Sequence, residues 1–151
     1  MQLIQLALYK GPPSSLIHNI SHYITRLGTW SKYSHAELVM DGVCYSSSAR
    51  DGGVRGKSID LSSGHWDVFD IYVSKQTKTK ALAWFAEHDG DSYDYRNVVR
   101  YVLPFIGHNK NHWVCYEAVG AALGIERPHI LTAESLLREF MSLGENHEKH
   151  S

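Results

Sequence analysis

The most regular pattern in the chain is the alternation over residues 35–40, which places His35 and Glu37 on one face of a predicted strand. The dipeptide Asp41-Gly42 that follows is a strong signal for a tight hairpin turn, and residues 43–48 predict the returning strand. A β-hairpin with a histidine and a carboxylate on the same face therefore constrains the fold more than any other feature.

The remaining patterns predict strands and helices around this hairpin. They indicate strands over residues 3–9 and 66–73, and a further strand after the glycine-rich loop 51–53. They indicate helices over residues 14–27, 78–87 and 95–103, and two more helices that run from Cys115 to Gly124 and from Thr132 to Phe140 or Met141. Leu82, Phe85 and Ala86 are expected to be the buried residues of the helix over 78–87. This order predicts a single α+β domain with a small antiparallel sheet over residues 1–143, followed by a polar, flexible tail over residues 144–151.

The composition bounds the function. The chain has 151 residues, 43% of them hydrophobic, which is enough for one domain with a proper core. Fifteen basic and sixteen acidic residues give a net charge of −1, so nucleic acid is not an expected partner.

The N-terminal stretch is apolar but has neither the basic leader nor the cleavage site of a signal peptide. No run reaches the ~18 apolar residues that span a bilayer, so stable membrane insertion is not expected. The two cysteines imply no disulfide framework. We therefore expect a cytoplasmic protein with free thiols, and the sequence leaves its oligomeric state open.

Cys115 follows a polar loop and opens an apolar helical pattern. The positive end of the helix dipole favours the thiolate form, and His35 offers the base that a nucleophilic cysteine needs. An ordinary buried core cysteine is the alternative interpretation. Cys44 lies within a predicted strand and is interpreted as a small structural residue. The pattern favours a cysteine hydrolase with Cys115 as nucleophile.

The third member of such a site is open. Glu37 shares the face of His35, and a carboxylate can orient an imidazole and stabilise its protonated form. A two-residue turn would instead bring Ser46 and Ser48 to this face, whereas a three-residue loop would bring Ser47 opposite His35. Glu37 is favoured.

Two further features bear on metal binding and on the oxyanion. His108 and His112 with Cys115 mix imidazole and thiolate ligands, but their spacing fits no strong zinc pattern, so no metal and no cofactor is predicted. Tyr93 could place its hydroxyl in the cleft and help the Cys115 backbone N–H to bind an oxyanion, while Asp94 is expected to cap the following helix.

Four short motifs occur in an order found in a known family. They are Ser34–Val39 with its hairpin, Tyr93-Asp94-Tyr95, Val114–Val119 and Leu131–Leu137. Together they resemble the permuted NlpC/P60 papain-like hydrolases, in particular the YaeF/YiiX-like branch. The histidine precedes the cysteine, as circular permutation requires.

The resemblance implies a circularly permuted papain-like fold with the sheet packed against the helix that carries Cys115. It also implies Cys115 as nucleophile, His35 as base and an amide bond in a peptide or peptidoglycan-like substrate as the target. Tyr116 replaces the usual serine. The family's third polar residue usually lies on the strand after the histidine, where this chain has serines and no acid. Two alternatives remain open. One is an acyltransferase or thioesterase acting on lipid acyl groups, as in lecithin:retinol acyltransferase-like enzymes. The other is a catalytically inactive binding domain of the same fold.

Overall fold

The structure, a computed structural model, describes residues 1–12, 31–94 and 112–148. The helices predicted over residues 14–27 and 95–103, the loop with His108, and the last three residues lie outside these ranges.

A seven-stranded sheet forms the centre of the described part of the chain. Its strands are β1 (Gln2–Tyr9), β2 (His35–Met40), β3 (Val43–Ser48), β4 (Gly53–Lys57), β5 (Trp66–Val73), β6 (Ser92–Tyr93) and β7 (His112–Trp113). Their order across the sheet is β5-β1-β2-β3-β4-β6-β7. Neighbours are antiparallel except the short pair β6 and β7, which is parallel. The predicted α+β class is confirmed.

The hairpin of β2 and β3 has the predicted two-residue turn, because Met40 pairs with Val43. Asp41 and Gly42 both have positive φ, at 51° and 78°, which is the backbone of the turn that matches strand twist. In this register the face of β2 that carries His35 also carries the even-numbered serines of β3. The alternative with a three-residue loop is wrong.

Three α-helices are present among the described residues: α1 (Lys75–Glu87), α2 (Cys115–Ala122) and α3 (Ala133–Glu148), with a 3-10 turn at Pro128–Ile130. Helix α1 begins earlier than predicted because the Ser74 side chain accepts a hydrogen bond from the Thr77 backbone N–H. Ala86 is exposed, so its predicted burial is wrong, whereas Phe85 is buried as predicted.

Helix α3 begins where the sequence predicts, since the hydroxyls of Thr132 and Ser135 each accept a hydrogen bond from the other's backbone N–H. It does not end at Phe140 or Met141 but continues to Glu148. A Cβ on Gly144 would lie 3.0 Å from Ile71, so this glycine lets the helix approach β5 closely. The segment expected to be a flexible tail is thus helical as far as Glu148.

The main core lies between one face of the sheet and the helices. Ala36, Leu38 and Met40 of β2 belong to it, together with buried residues of all three helices. His35 and Glu37 project from the opposite face, where Ala7, Val39 and Cys44 form a smaller cluster beside Trp66. Ala36, Leu38 and Met40 therefore anchor β2 in the core, while His35 and Glu37 lie on the face that carries the candidate site. Within the described ranges, no helix combines the length and apolar character needed to cross a membrane.

Candidate active site

Cys115 is the first residue of α2 and is buried and free of any disulfide. The residue before it, Val114, provides no side-chain cap for the helix. The first N–H groups of a helix have no partner within it, so the Cys115 backbone N–H can serve a ligand at this helix end. Residues leading to the helix are fixed, because the Trp113 carbonyl accepts hydrogen bonds from the Ser47 hydroxyl at 2.7 Å and the Asp94 N–H at 3.1 Å.

A second contact fixes α2 relative to the strand that carries His35. The fully buried Tyr116 donates its hydroxyl to the Tyr33 carbonyl at 3.3 Å. Tyr33 in turn donates its hydroxyl to Asp67 at 2.6 Å. The start of α2 and the start of β2 are therefore held together. The tyrosine that follows Cys115 is a buried part of this link.

His35 is the first residue of β2, and 16% of its side chain is exposed. Its Nε2 lies 2.6 Å from Glu37 Oε1, so Nδ1 is the nitrogen left for the thiol of Cys115. Burial lowers the pKa of His35, but the charges of Cys115 and Glu37 and hydrogen bonds to both raise it more. The net effect is a pKa of about 9, so the imidazole is positively charged at neutral pH.

Glu37 is fully buried and is held by Arg55 through both carboxylate oxygens, at 2.7 and 2.5 Å. Burial alone would raise the pKa of Glu37, but the charge of His35 and the hydrogen bonds from Arg55 and His35 lower it below its ordinary value. The carboxylate therefore stays ionised in a buried position. A buried charge of this kind persists only when it is paired and hydrogen-bonded.

The chain of charges continues beyond Arg55. Its Nε lies 2.7 Å from Asp51, which also accepts a hydrogen bond from Lys57 at 2.6 Å. Although burial raises the pKa of Asp51, the hydrogen bonds from Lys57 and Arg55 lower it to about 2. Burial lowers the pKa of Arg55, but Glu37 and Asp51 raise it above its ordinary value. Cys115, His35, Glu37, Arg55 and Asp51 thus form one continuous polar network.

Arg55 was missed by the sequence reasoning. Its signal lies in the register, because Arg55 of β4 pairs with Ser46 of β3, and Ser46 lies opposite Glu37 of β2. All three side chains therefore share one face of the sheet. Recognising Arg55 required the order of three strands, which the local pattern of residues 53–57 does not contain.

Two of the three serines that competed with Glu37 have other partners. Ser46 donates to the Ala36 carbonyl at 2.6 Å, and Ser47 donates to Trp113 on the opposite side of the sheet. Ser48 lies beside His35 in the lining of a pocket. Of these four candidates, Glu37 is the one that the structure shows within hydrogen-bond distance of the imidazole.

Cys44 lies within β3 and is buried beside Ala7 and Val39, as a structural strand residue would be. Burial raises the pKa of its thiol, and the nearby Glu37 carboxylate raises it further. A buried thiol with a raised pKa is a poor nucleophile at neutral pH. The structure therefore separates the two cysteines into different environments.

The zinc pattern cannot be followed through, since His108 lies outside the described residues and only the backbone of His112 is described. In the parts of the chain that the structure describes, no three His, Cys, Asp or Glu side chains are arranged so that they could hold a metal ion. Tyr93 is buried against Val114, the residue before Cys115, and is therefore close to the site. The helix that Asp94 was expected to cap lies outside the described ranges.

A pocket of about 340 Å³ opens beside His35 on the face opposite the main core. We call it the His35 pocket, and its lining consists of Tyr9, His35, Glu37, Ser48, Arg50, Arg55, Lys57, Ser58, Ile59 and Trp66. The site therefore offers a thiol at a helix N-terminus, a protonated imidazole held by a buried carboxylate, and an adjoining cavity. Such groups can perform nucleophilic attack and proton transfer on a bound carbonyl compound.

The chain matches no model of a known protein family and no curated protein.

Proposed function

We propose that the protein is a cysteine hydrolase that cleaves an amide bond in a peptide or peptidoglycan-like substrate through an acyl-enzyme on Cys115. The observation that carries this proposal is the arrangement of three side chains. Cys115 begins α2 beside His35, and Glu37 holds the far nitrogen of the imidazole at 2.6 Å. A nucleophile, a base and a group that orients the base form the arrangement expected for covalent catalysis.

We also propose that the fold is a circularly permuted papain-like fold of the NlpC/P60 type. In support, the strand with His35 precedes the helix with Cys115 in the sequence, and that helix packs on the antiparallel sheet. The arrangement fits the order of motifs that the sequence presents.

Acylation begins with the pair in its charged form, a thiolate beside the His35 imidazolium. The sulfur attacks the carbonyl carbon, and the Cys115 backbone N–H donates a hydrogen bond to the oxygen that becomes negative. Tyr93, which packs against Val114, is the side chain that we propose as a second donor. The imidazolium then gives its proton to the leaving nitrogen, the C–N bond breaks and a thioester remains on Cys115.

Deacylation uses the now neutral imidazole as base. His35 takes a proton from water, the oxygen attacks the thioester carbonyl, and the C–S bond breaks to release a carboxylic acid. Thiolate and imidazolium are thereby restored. Glu37 keeps Nδ1 directed toward the sulfur and stabilises the positive imidazole, while Arg55 keeps Glu37 ionised and in place.

The proposal is tested first by the reactivity of the thiol toward iodoacetamide across a range of pH. Cys115 should be alkylated rapidly at neutral pH, and His35→Ala should slow the reaction at least about tenfold because the imidazolium that stabilises the thiolate is lost. Cys44→Ala is the matched control and should leave the rate unchanged. Equal rates at Cys115 in the wild type and His35→Ala would contradict an activated thiol and favour a binding domain of the same fold.

The substrate is then sought by incubating the protein with peptides, peptidoglycan fragments and acyl lipids, and by trapping acylated Cys115 for mass spectrometry. Cys115→Ala should lower the turnover of any substrate found by several orders of magnitude, whereas Cys44→Ala should leave it unchanged. A trapped fatty acyl group would contradict amide hydrolysis and favour lipid acyl transfer or thioester hydrolysis.

We further propose that the protein acts in the cytoplasm, because the nucleophile must stay a reduced thiol and both cysteines are free. Fractionation of cells that express the untagged protein tests this. Recovery mainly in the envelope would contradict it.

A further inference from the structure

The His35 pocket concentrates positive charge beside the reacting groups. Arg50, Arg55 and Lys57 line it together with His35, in a chain whose net charge is −1. Among the described residues of its lining, the one carboxylate is that of Glu37, which is buried and has both oxygens engaged by Arg55 and His35. Negative charge in the lining is thus already neutralised, and a net positive field remains.

The basic side chains differ in how far they are already paired. Arg55 is bound by Glu37 and Asp51, and Lys57 is bound by Asp51. Arg50 is exposed and, among the described residues, forms no ion pair. The guanidinium of Arg50 is therefore free to bind an anion through two parallel hydrogen bonds. The hydroxyls of Ser48 and Ser58 add neutral donors to the same lining.

The opposite part of the lining is apolar. Tyr9 and Trp66 pack edge to face with their ring centroids 5.0 Å apart, and Ile59 lies in the same lining. Trp66 also lies 6.4 Å from the His35 ring. The pocket thus combines a cationic side with an aromatic wall, which is the mixed character of a site for a small organic anion.

The position of the pocket indicates which part of a substrate it holds. His35 lines the pocket, whereas Cys115 is not among the described residues that do. The leaving group must reach the imidazole to receive its proton, while the acyl part stays bonded to the sulfur. The His35 pocket therefore lies on the leaving-group side of the site.

We propose that the His35 pocket binds an anionic group, a carboxylate or a phosphate, on the leaving portion of the substrate, with Arg50 as its principal contact and Trp66 against the adjacent apolar part. The assignment to the leaving portion rests on the proposed function, whereas the anion site itself does not. A substrate whose departing amine carries an acidic group is the class that fits.

Calorimetric titration of the Cys115→Ala protein tests the anion site without any turnover. The probes are 3-phenylpropanoate, its neutral analogue 3-phenylpropanamide, and phenyl phosphate. The carboxylate should bind at least about tenfold more tightly than the amide, because a charge-assisted hydrogen bond is lost in the amide. The stronger binder of the two anions identifies the preferred acidic group. Equal affinity for all three probes would overturn the proposal.

Two variants in the same background locate the contact. Arg50→Gln should weaken binding of the anions by about tenfold and leave binding of the amide unchanged. Arg138→Gln removes an exposed arginine on α3 and is the matched control, which should bind all probes as before. Anion affinity that does not respond to Arg50→Gln would overturn the assignment of Arg50.

The assignment of the pocket to the leaving-group side is tested by measuring anion binding to the wild-type protein after its Cys115 has been carbamidomethylated. The modification occupies the acyl side, so anion affinity should stay within about threefold of that of the unmodified protein. Loss of anion binding would overturn the leaving-group assignment. An inert Cys115 with intact anion binding would refute the hydrolase proposal and leave the anion site standing, so the two failures are distinguishable.

Discussion

Arg55 binds both carboxylate oxygens of Glu37, with Nη1 2.7 Å from Oε2 and Nη2 2.5 Å from Oε1. Glu37 is fully buried, and its Oε1 also lies 2.6 Å from the Nε2 of His35. The orientation of the imidazole on β2 therefore depends on an arginine of β4, with β3 between them. Arg55 therefore supports the fold by pairing a buried charge, and Glu37 supports the chemistry by orienting the imidazole.

Arg55→Met should destabilise the fold by about 3–5 kcal/mol, because the substitution leaves the Glu37 carboxylate buried without its main partner. Urea unfolding measures this change. Lys57→Gln is the matched control, since it removes only a partly exposed contact to Asp51 and should cost less than about 1 kcal/mol. Equal costs for the two variants would mean that Arg55 does not support the buried charge.

Glu37→Gln keeps the size of the side chain but removes its charge. Because Glu37 helps to raise the pKa of His35, the variant should have a His35 pKa below about 9, measured by NMR titration of the ring protons. Turnover of an identified substrate should fall by about 10²–10⁴, as when a carboxylate that orients a catalytic histidine is neutralised. An unchanged His35 pKa would contradict the role of Glu37, whatever the effect on rate.

The raised pKa of His35 also sets a dependence of stability on pH. In the unfolded chain the group has an ordinary pKa of 6.5, and in the fold it has a pKa of about 9. The stabilisation from the protonated imidazole is fully present below pH 6.5 and is lost as pH rises through about 9. Within this window the free energy of unfolding should decline by up to about 1.4 kcal/mol per pH unit. Urea unfolding of the wild type and of His35→Ala measures the decline, which should be shallower in the variant.

Two adjacent glycines differ in what they tolerate. A Cβ on Gly53 would lie 1.8 Å from the Asp91 carbonyl oxygen, at a φ of +153°, whereas a Cβ on Gly52 would meet nothing within 4 Å. Gly53→Ala should therefore push β6 away from β4 and cost more than about 3 kcal/mol, while Gly52→Ala should cost about 1 kcal/mol for its positive φ alone.

The consequence of this displacement reaches the thiol. Strand β6 pairs with β7, which leads directly into Cys115. Gly53→Ala should slow alkylation of Cys115 by iodoacetamide more than Gly52→Ala does. Thermal unfolding gives the stability difference, and similar effects of the two substitutions on both measurements would contradict the close approach at Gly53.

The local patterns of the sequence predicted the elements that bear the site. Alternation over residues 35–40 placed His35 and Glu37 on one face, and Asp41-Gly42 defined the turn, because strand period and turn backbone are properties of neighbouring residues. The start of α2 at Cys115 was predicted for the same reason. The same local reasoning failed at Gly144, where a glycine taken as the beginning of the tail is instead a point of close packing against Ile71.

Tertiary structure alone decided which groups meet. The nearness of His35 to Cys115 depends on packing between β2 and α2, and the partner of Glu37 depends on the order of β2, β3 and β4. No pattern of neighbouring residues encodes a contact between strands that are distant in the chain. Arg55 and the His35 pocket were therefore absent from the sequence reasoning. The sequence by itself determined which side chains face away from the core, and only the folded sheet determined that a buried carboxylate, an arginine and an imidazole share one corner of it.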